Sequence, residues 1–402
     1  MHRITLLGRA GDAFEASVEA QDAQVLGRWL PLPALEQALL HTPACTDGSV
    51  DLVLVPADLL PSLAAAGAIR PLDDLATRSP LPGGSTERTS AFDDSLVFDA
   101  GGGARLWGSA FHCGPQLVLY RRDLYEDPQE RERFAAVHGR PLLPPSTWAD
   151  IDDHAAWFTR PEEGLYGTVL AGAPDGHSNV YDLVLRMRLA GGDVLTADGR
   201  SNGFEDEAGA AALRSLRHSF DTVVDPAARN WDSVHSGRAF AEGRVALMVN
   251  WAGYAALGDE RIGAVAVPGV ETVNAFWALA ITAGSSRPQA AWRFLQQCAT
   301  AAGDRATTDA GSTGVRRSTW CHPALLQRNP ALRIFEQAYR RSRPLPVHPR
   351  LPELTAVLGR LVQSVVHEGA DTGISVERAA RAVDRIVGAA ESTTRQTPGR
   401  TA

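Results

Sequence analysis

The sequence contains no lysine, so all 39 residues in its Lys+Arg count are arginine. This absence excludes a Schiff-base lysine and the lysine of a Walker A phosphate loop. The 47 acidic residues give a formal net charge of −8, whereas a nucleic-acid-binding domain usually carries a clustered basic face. Nucleic acid is therefore not an expected partner.

Cysteine is scarce, and no CxxC pair occurs. Two Cys-His pairs, His112-Cys113 and Cys321-His322, are the only arrangement that suggests zinc. Neither pair has a second ligand at the usual local spacing, so each is better explained by buried cysteines and surface histidines. We predict no metal and no cofactor.

Long apolar runs are also missing. The longest, such as residues 50–57, are far shorter than the ~20 residues that span a bilayer, which predicts a soluble mature chain. Near the N-terminus, residues 4–7 are too short an apolar run for a secretory signal, and no lipobox-like cysteine follows them. A leader outside this sequence, a start site upstream of the one given, and a cytoplasmic protein all remain open.

The length and the residue pattern favour two α/β domains. A chain of 402 residues exceeds the roughly 250–300 residues at which single cores stop growing. Short β-branched runs at residues 4–7, 50–55, 117–120 and 245–249 predict strands. Amphipathic segments between them predict helices, including one over residues 57–66 and one capped by Thr147.

Five segments, in chain order, resemble the extracellular solute-binding proteins of sugar importers, the maltose-binding-protein-like family 1. They are residues 51–63 (DLVLVPADLLPSL) with 67–74 (GAIRPLDD), 106–112 (LWGSAFH) with 116–124 (QLVLYRRDL), 165–167 (LYG) with 191–195 (GGDVL), 239–248 (AFAEGRVALM), and 275–281 (AFWALAI) with 286–294 (SRPQAAWRF). Two positions depart from the family pattern: Ala110 replaces a proline, and Met248 lies one place late.

The resemblance implies a two-lobed α/β fold of the periplasmic-binding-protein type, with crossover hinge strands and a ligand cleft between the lobes. It places residues 1–110 and 254–303 in lobe one, and residues 111–253 and 304–390 in lobe two. Residues 391–402 are expected to be a flexible tail. It also implies a monomer, periplasmic or extracellular and associated with the membrane, which binds a carbohydrate by hinge closure and delivers it to the membrane subunits of an ABC importer.

Sugar clefts combine aromatic faces with planar polar side chains. Side chains of both types follow the predicted strands or lie in the polar loop 174–181. The candidate ligand-binding residues are Arg9, Asp12, Asp58, Phe111, His112, Asp175, His177, Asn179, Trp251, Tyr254, Trp277 and Arg316.

Several of these candidates have a structural alternative. Trp251 and Trp277 are also consistent with core aromatics. Asp58 is also consistent with a carboxylate near a helix N-terminus, and Asp12 with the cap of a helix starting at residue 14. Arg9 and Arg316, which this division places in opposite lobes, are either cleft contacts or members of surface ion pairs. The expected ligand is a neutral or an acidic sugar, and two arginines facing the cleft would favour the acidic one.

Two other functions compete with the sugar receptor. One is a receptor for a polyamine, a ferric ion or an organic anion, although six tyrosines with none adjacent disfavour iron. The other is a carbohydrate-active enzyme on the same scaffold. The sequence contains no HExxH or GxGxxG motif, and adjacent carboxylates such as Asp73-Asp74 would diverge on a helix. We therefore expect a binding protein and no catalytic residues.

Overall fold

The computed structural model describes residues 3–21, 25–174, 176–205, 207–257 and 259–395. The chain divides into two compact units. Unit 1 comprises the chain up to Pro115 together with Asn274–Leu351, and unit 2 comprises Gln116–Val273 and the chain from Pro352 onward. The chain therefore passes from one unit to the other after Pro115, after Val273 and after Leu351.

The strands are short and are distributed along both units. In chain order they are β1 (Thr5–Arg9), β2 (Leu26–Leu30), β3 (Leu52–Pro56), β4 (Val97–Asp99), β5 (Ala104–Leu106), β6 (Ser109–Cys113), β7 (Gln116–Arg121), β8 (Asp193–Leu195), β9 (Asn202–Gly203), β10 (Leu247–Trp251), β11 (Ile262–Ala266), β12 (Thr272–Val273), β13 (Phe276–Ile281) and β14 (Ser342–Arg343).

The α-helices connect the strands and also form most of the C-terminal region. In chain order they are α1 (Asp12–Glu19), α2 (Leu32–His41), α3 (Leu60–Ala65), α4 (Asp73–Arg78), α5 (Gly84–Glu87), α6 (Asp93–Leu96), α7 (Arg122–Glu126), α8 (Pro128–His138), α9 (Trp148–Phe158), α10 (Ser178–Leu189), α11 (Glu207–Thr222), α12 (Ser233–Ala241), α13 (Pro288–Cys298), α14 (Ala301–Asp309), α15 (Arg317–Trp320), α16 (Pro323–Arg328), α17 (Phe335–Arg340), α18 (Leu351–Val362) and α19 (Thr372–Arg395).

Unit 1 is built on a five-stranded sheet in the order β2-β1-β3-β13-β6. Strand β1 is parallel to β2 and β3, while β13 is antiparallel to β3 and β6. All five residues of β3 are buried, which explains its continuous apolar sequence. The carboxyl ends of β1, β3 and β6 therefore lie at one edge of the sheet, together with the first residues of β13.

Unit 2 contains a three-stranded antiparallel sheet in the order β10-β7-β11. Val118 of β7 and Leu247 of β10 are fully buried and pack with Ile151 of α9. Helix α9 begins where the sequence predicts, because Thr147 and Asp150 form a reciprocal capping box. The sheet therefore has a helix-covered apolar face.

The predicted elements occur with shifted boundaries. The strand predicted at 245–249 is β10, which ends at Trp251, so Trp251 is the last strand residue and does not follow the strand. The helix predicted at 57–66 is a 3-10 turn at Ala57–Leu59 followed by α3. Pro61 lies in the first turn of α3, where its missing N–H costs no hydrogen bond. The segment predicted as a tail from residue 391 is still helical in α19 as far as Arg395.

The division into units differs from the predicted lobes at both returning segments. Residues 304–351 belong to unit 1, where Gln21 Nε2 donates to Gly303 O (2.7 Å) and to Thr307 Oγ1 (2.9 Å). Residues 254–273 belong to unit 2, because β11 pairs with β7 along its length. Both differences arise from long-range contacts that a local pattern does not reveal.

No helix in the described part of the chain is long and apolar enough to cross a membrane.

A buried carboxylate, Asp51, ties the start of β3 to two other parts of unit 1. It is 1% exposed. Its Oδ2 accepts from Thr5 N (3.0 Å) and pairs with Arg287 Nη2 (2.9 Å), while Oδ1 accepts from Ser285 Oγ (2.7 Å). Burial raises the pKa of Asp51, but these hydrogen bonds and the Arg287 guanidinium together hold the pKa below its usual value.

We expect Asp51→Asn to lower the free energy of unfolding by about 1–2 kcal/mol at pH 7, because charge-assisted hydrogen bonds become neutral ones. Since the folded-state pKa is lowered, this contribution is fully present above the unfolded-state pKa of about 3.9 and is lost as the pH falls through the folded-state value. Urea unfolding at pH 7 and pH 3 should show the difference between variant and parent shrinking in acid. Asp74→Asn, at an exposed position of α4, is the control; an Asp51 effect equal to this control's would contradict the prediction.

Candidate functional site

Four of the predicted residues meet at one edge of the unit 1 sheet. Arg9 is the last residue of β1, and Asp58 follows β3 in the turn at Ala57–Leu59. Trp277 of β13 pairs with Pro56 on one side and with His112 of β6 on the other. Ligands of open α/β sheets bind outside the carboxyl ends of the strands. This edge is therefore the candidate site of unit 1.

An aromatic group covers this edge. The Phe14 ring of α1 lies 4.6 Å from the Trp277 ring and 5.1 Å from the His112 ring, edge-on to the latter. The Arg9 guanidinium carbon lies 5.8 Å from the Trp277 ring centroid. Phe14 was not among the predicted residues, although its place in the first turn after the β1 loop was a usable signal. The group offers aromatic faces beside one cation.

His112 is held in a defined protonation state. Its Nδ1 accepts a hydrogen bond from Thr313 N (2.8 Å). Burial, and secondarily the Arg9 guanidinium, lowers the pKa of His112 to about 4. The imidazole is therefore neutral at pH 7 with its hydrogen on Nε2, which can donate to a ligand oxygen.

Two other predicted residues of unit 1, Phe111 and Asp12, are placed differently. Phe111 is 2% exposed and packs in the core with Leu6 and Leu279. Asp12 is exposed as the first residue of α1, whose N-cap is Gly11, so it is not the predicted cap. Asp58 is partly buried in its turn.

Arg316 is a structural residue of unit 1 and is 6% exposed. Its Nη1 donates to Ala299 O (2.7 Å) and Pro82 O (3.2 Å), and its Nη2 lies 3.4 Å from Glu87 Oε2. Through these contacts, the Arg316 guanidinium joins three segments of unit 1. The prediction that Arg9 and Arg316 belong to opposite lobes is wrong, since both lie in unit 1.

Unit 2 brings together Trp251 and the polar loop near residue 177. The Tyr181 ring lies edge-on to the Trp251 ring at 5.5 Å. His177 Nδ1 lies 3.2 Å from the Tyr181 hydroxyl. Trp251 is partly buried and pairs with Gln116 at the start of β7. Trp251, Tyr181 and His177 thus form a second group of aromatic and polar side chains, of which Tyr181 was not predicted.

A small pocket of about 20 Å³ adjoins this group, which is room for about one water molecule. Its lining is largely polar and includes Gln116, Ser178, Asp182, Ser233, Asn250 and Trp251. A larger pocket of about 370 Å³ in unit 2 is lined by residues of α9, α10 and α11 and shares Leu170 and Val249 with the small one. It contains none of the predicted residues, so the aromatic group at Trp251 is the better candidate.

The remaining predicted residues of unit 2 are less accessible or lie outside the description. Asn179 is 2% exposed, with its Nδ2 beside Gly359 of α18, so it packs inside the unit. The partly buried Tyr254 ring lies so close to Gly237 of α12 that a Cβ there would be 2.3 Å from it. Asp175 lies outside the described residues. Among the described residues, no group of three His, Cys, Asp or Glu side chains is arranged to hold a metal ion.

Comparison with solved structures confirms the predicted periplasmic-binding-protein fold. The ABC-transporter solute-binding protein of Agrobacterium radiobacter K84, in complex with ribitol, has a TM-score of 0.83 at 20% identity, over 96% of this chain and 98% of that chain. The protein of Thermotoga lettingae TMO bound to alpha-D-tagatose has a TM-score of 0.81 at 17% identity, over 96% and 100%. Maltose-bound MalE3 of T. maritima has a TM-score of 0.78 at 18% identity, over 96% and 99%.

The sequence comparisons agree with the fold. No curated protein sequence matches the chain. The family model described as bacterial extracellular solute-binding protein matches residues 30–330, which is most of the chain and includes residues of both units. The resemblance inferred from the five sequence segments is therefore confirmed, and the chain belongs to the bacterial extracellular solute-binding proteins.

Proposed function

We propose that the protein is the substrate-binding receptor of an ABC importer and captures a carbohydrate. The observation that carries this proposal is the pairing of aromatic rings with polar groups in each unit: Trp277 and Phe14 with His112, and Trp251 and Tyr181 with His177. Aromatic faces bind the C–H surface of a sugar, and fixed polar groups bind its hydroxyls. The tagatose, ribitol and maltose complexes of similar structures support the same ligand class.

The proposal also covers the partner of the receptor, its location and the absence of catalysis. The receptor acts as a monomer outside the cytoplasm and delivers its ligand to the membrane subunits of the importer, without turnover. The extracellular solute-binding family supports the location and the importer. The solved structures that it resembles are binding proteins, which supports a receptor over a carbohydrate-active enzyme.

A thermal-shift screen over neutral sugars, alditols, sugar acids, polyamines and organic anions tests this function. A ligand at ~100 times its Kd stabilises the native state by about 2.7 kcal/mol, so a cognate carbohydrate should raise the Tm clearly. Isothermal titration should then give a stoichiometry of one. The proposal would be overturned if polyamines or simple organic anions raise the Tm and no carbohydrate does.

The same samples can also be used to test hinge closure. A ligand that favours the closed state shifts the population toward it, so small-angle scattering should give a smaller radius of gyration at saturation. A saturating carbohydrate that leaves the radius unchanged would contradict hinge closure. Release of a modified sugar on long incubation would identify an enzyme.

A further inference from the structure

Arg9 is a partly buried arginine at the candidate site of unit 1. Its guanidinium carbon lies 5.8 Å from the Trp277 ring centroid. Within the part of the chain that the structure describes, this guanidinium makes no hydrogen bond and no ion pair. Charged side chains that leave water are normally paired. The positive charge of Arg9 is therefore available to a ligand.

Three other shielded arginines of unit 1 have oxygen partners. Arg316 donates to two backbone carbonyls and lies near Glu87. Arg287 pairs with Asp51, and Arg70 donates to the carbonyls of residues 282, 283 and 285. Arg9 differs from these three because it lies at the candidate site edge with only a ring beside it.

The charges around Arg9 indicate the kind of anion that fits. His112 is neutral at pH 7, so it adds no second positive charge. Asp58 occupies the same edge, but among the described residues it forms no ion pair with Arg9. A single guanidinium matches the geometry and the charge of one carboxylate through two parallel hydrogen bonds. A phosphate dianion would call for further cations.

We propose that the captured carbohydrate is a sugar acid whose carboxylate pairs with Arg9 at the edge formed by β1, β6 and β13. This inference rests on the proposed function and deepens it by naming the ligand class. The Trp277 and Phe14 rings then contact the sugar ring, and His112 Nε2 donates to one of its oxygens. Arg9 determines specificity by supplying, at this edge, a positive charge complementary to the acid.

Titration calorimetry with matched ligand pairs tests this inference. Each hexuronate, and each short uronide, is compared with its neutral counterpart and with the corresponding hexose 6-phosphate. The parent should prefer the acid. Arg9→Gln should lower the affinity for the acid by roughly tenfold to hundredfold, as expected for a charge-assisted contact, and change the affinity for the neutral sugar by less than about threefold. Arg9→Lys should restore part of the preference.

Arg28→Gln is the matched control, because it removes the same charge from an exposed position of the neighbouring strand β2. The affinity of the parent for the acid should also fall with added salt, while that for the neutral sugar should not; this readout needs no variant. Three outcomes would overturn the inference and leave the proposed receptor function standing. Neutral sugars could bind as tightly as their acids, the sugar phosphates could bind more tightly than the acids, or the Arg9 and Arg28 variants could lose the same affinity for the acid. If no carbohydrate binds, acidic or neutral, the proposed receptor function is itself overturned.

Discussion

Replacing Asp304 by alanine is expected to lower the free energy of unfolding by about 3–5 kcal/mol. Asp304 lies in α14 and is 2% exposed. Its Oδ1 accepts from Val315 N (2.7 Å), and its Oδ2 accepts from Arg316 N (3.1 Å) and Thr319 Oγ1 (2.5 Å). Alanine would leave these buried donors without an acceptor.

This carboxylate also supports the candidate site indirectly. The carboxylate oxygens of Asp304 accept hydrogen bonds from Val315 N and Arg316 N and thereby fix the segment 313–316. Within this segment, Thr313 N donates to His112. Burial raises the pKa of Asp304, although the three hydrogen bonds and Arg316 oppose that effect. We therefore expect Asp304→Ala to lose ligand affinity as well as stability.

Urea unfolding of the parent and the variant measures the loss of stability. Asp309→Ala is the control, because Asp309 ends the same helix but is exposed and pairs only with exposed Arg328. Surface ion pairs contribute little, so the control should lose less than about 1 kcal/mol. A loss for Asp304→Ala as small as that of the control would show that the buried hydrogen bonds do not hold this segment.

Much of the unit 1 site was predictable from local sequence. The apolar run at residues 52–55 predicts a buried strand, and β3 occupies that place. Polar residues that follow such strands collect at one sheet edge, which brought Arg9 and Asp58 to the edge that Trp277 also occupies.

The remaining errors involve contacts between distant segments. Arg9 and Arg316 are the same residue type, yet Arg9 lies beside a ring and Arg316 donates to backbone carbonyls. Their difference is set by segments that are distant in sequence, such as Pro82 and Trp277. The grouping of residues 304–351 with unit 1 has the same origin, since the contact of Gln21 with Thr307 spans 286 positions.

Trp251, the final residue of β10, is expected to contact the carbohydrate. Trp251→Ala should raise the Kd of the carbohydrate found in the screen by at least about 30-fold, or ~2 kcal/mol, because a rigid ring supplies a large contact area at little entropic cost. The Tyr181 ring, edge-on at 5.5 Å, holds the Trp251 ring in place. Trp251→Phe should therefore recover part of the affinity.

Trp157→Ala is the matched control for this variant. Trp157 is also a partly buried tryptophan of unit 2, but it packs against Phe134 and donates to Glu130 in a cluster without Trp251 or Tyr181. We expect Trp157→Ala to lower the Tm and leave the Kd unchanged, whereas Trp251→Ala should raise the Kd while unfolding remains cooperative. If Trp251→Ala binds the carbohydrate as tightly as the parent, Trp251 is a structural aromatic, and the ligand contacts of unit 2 lie elsewhere, with the larger pocket beside α9 as the next candidate.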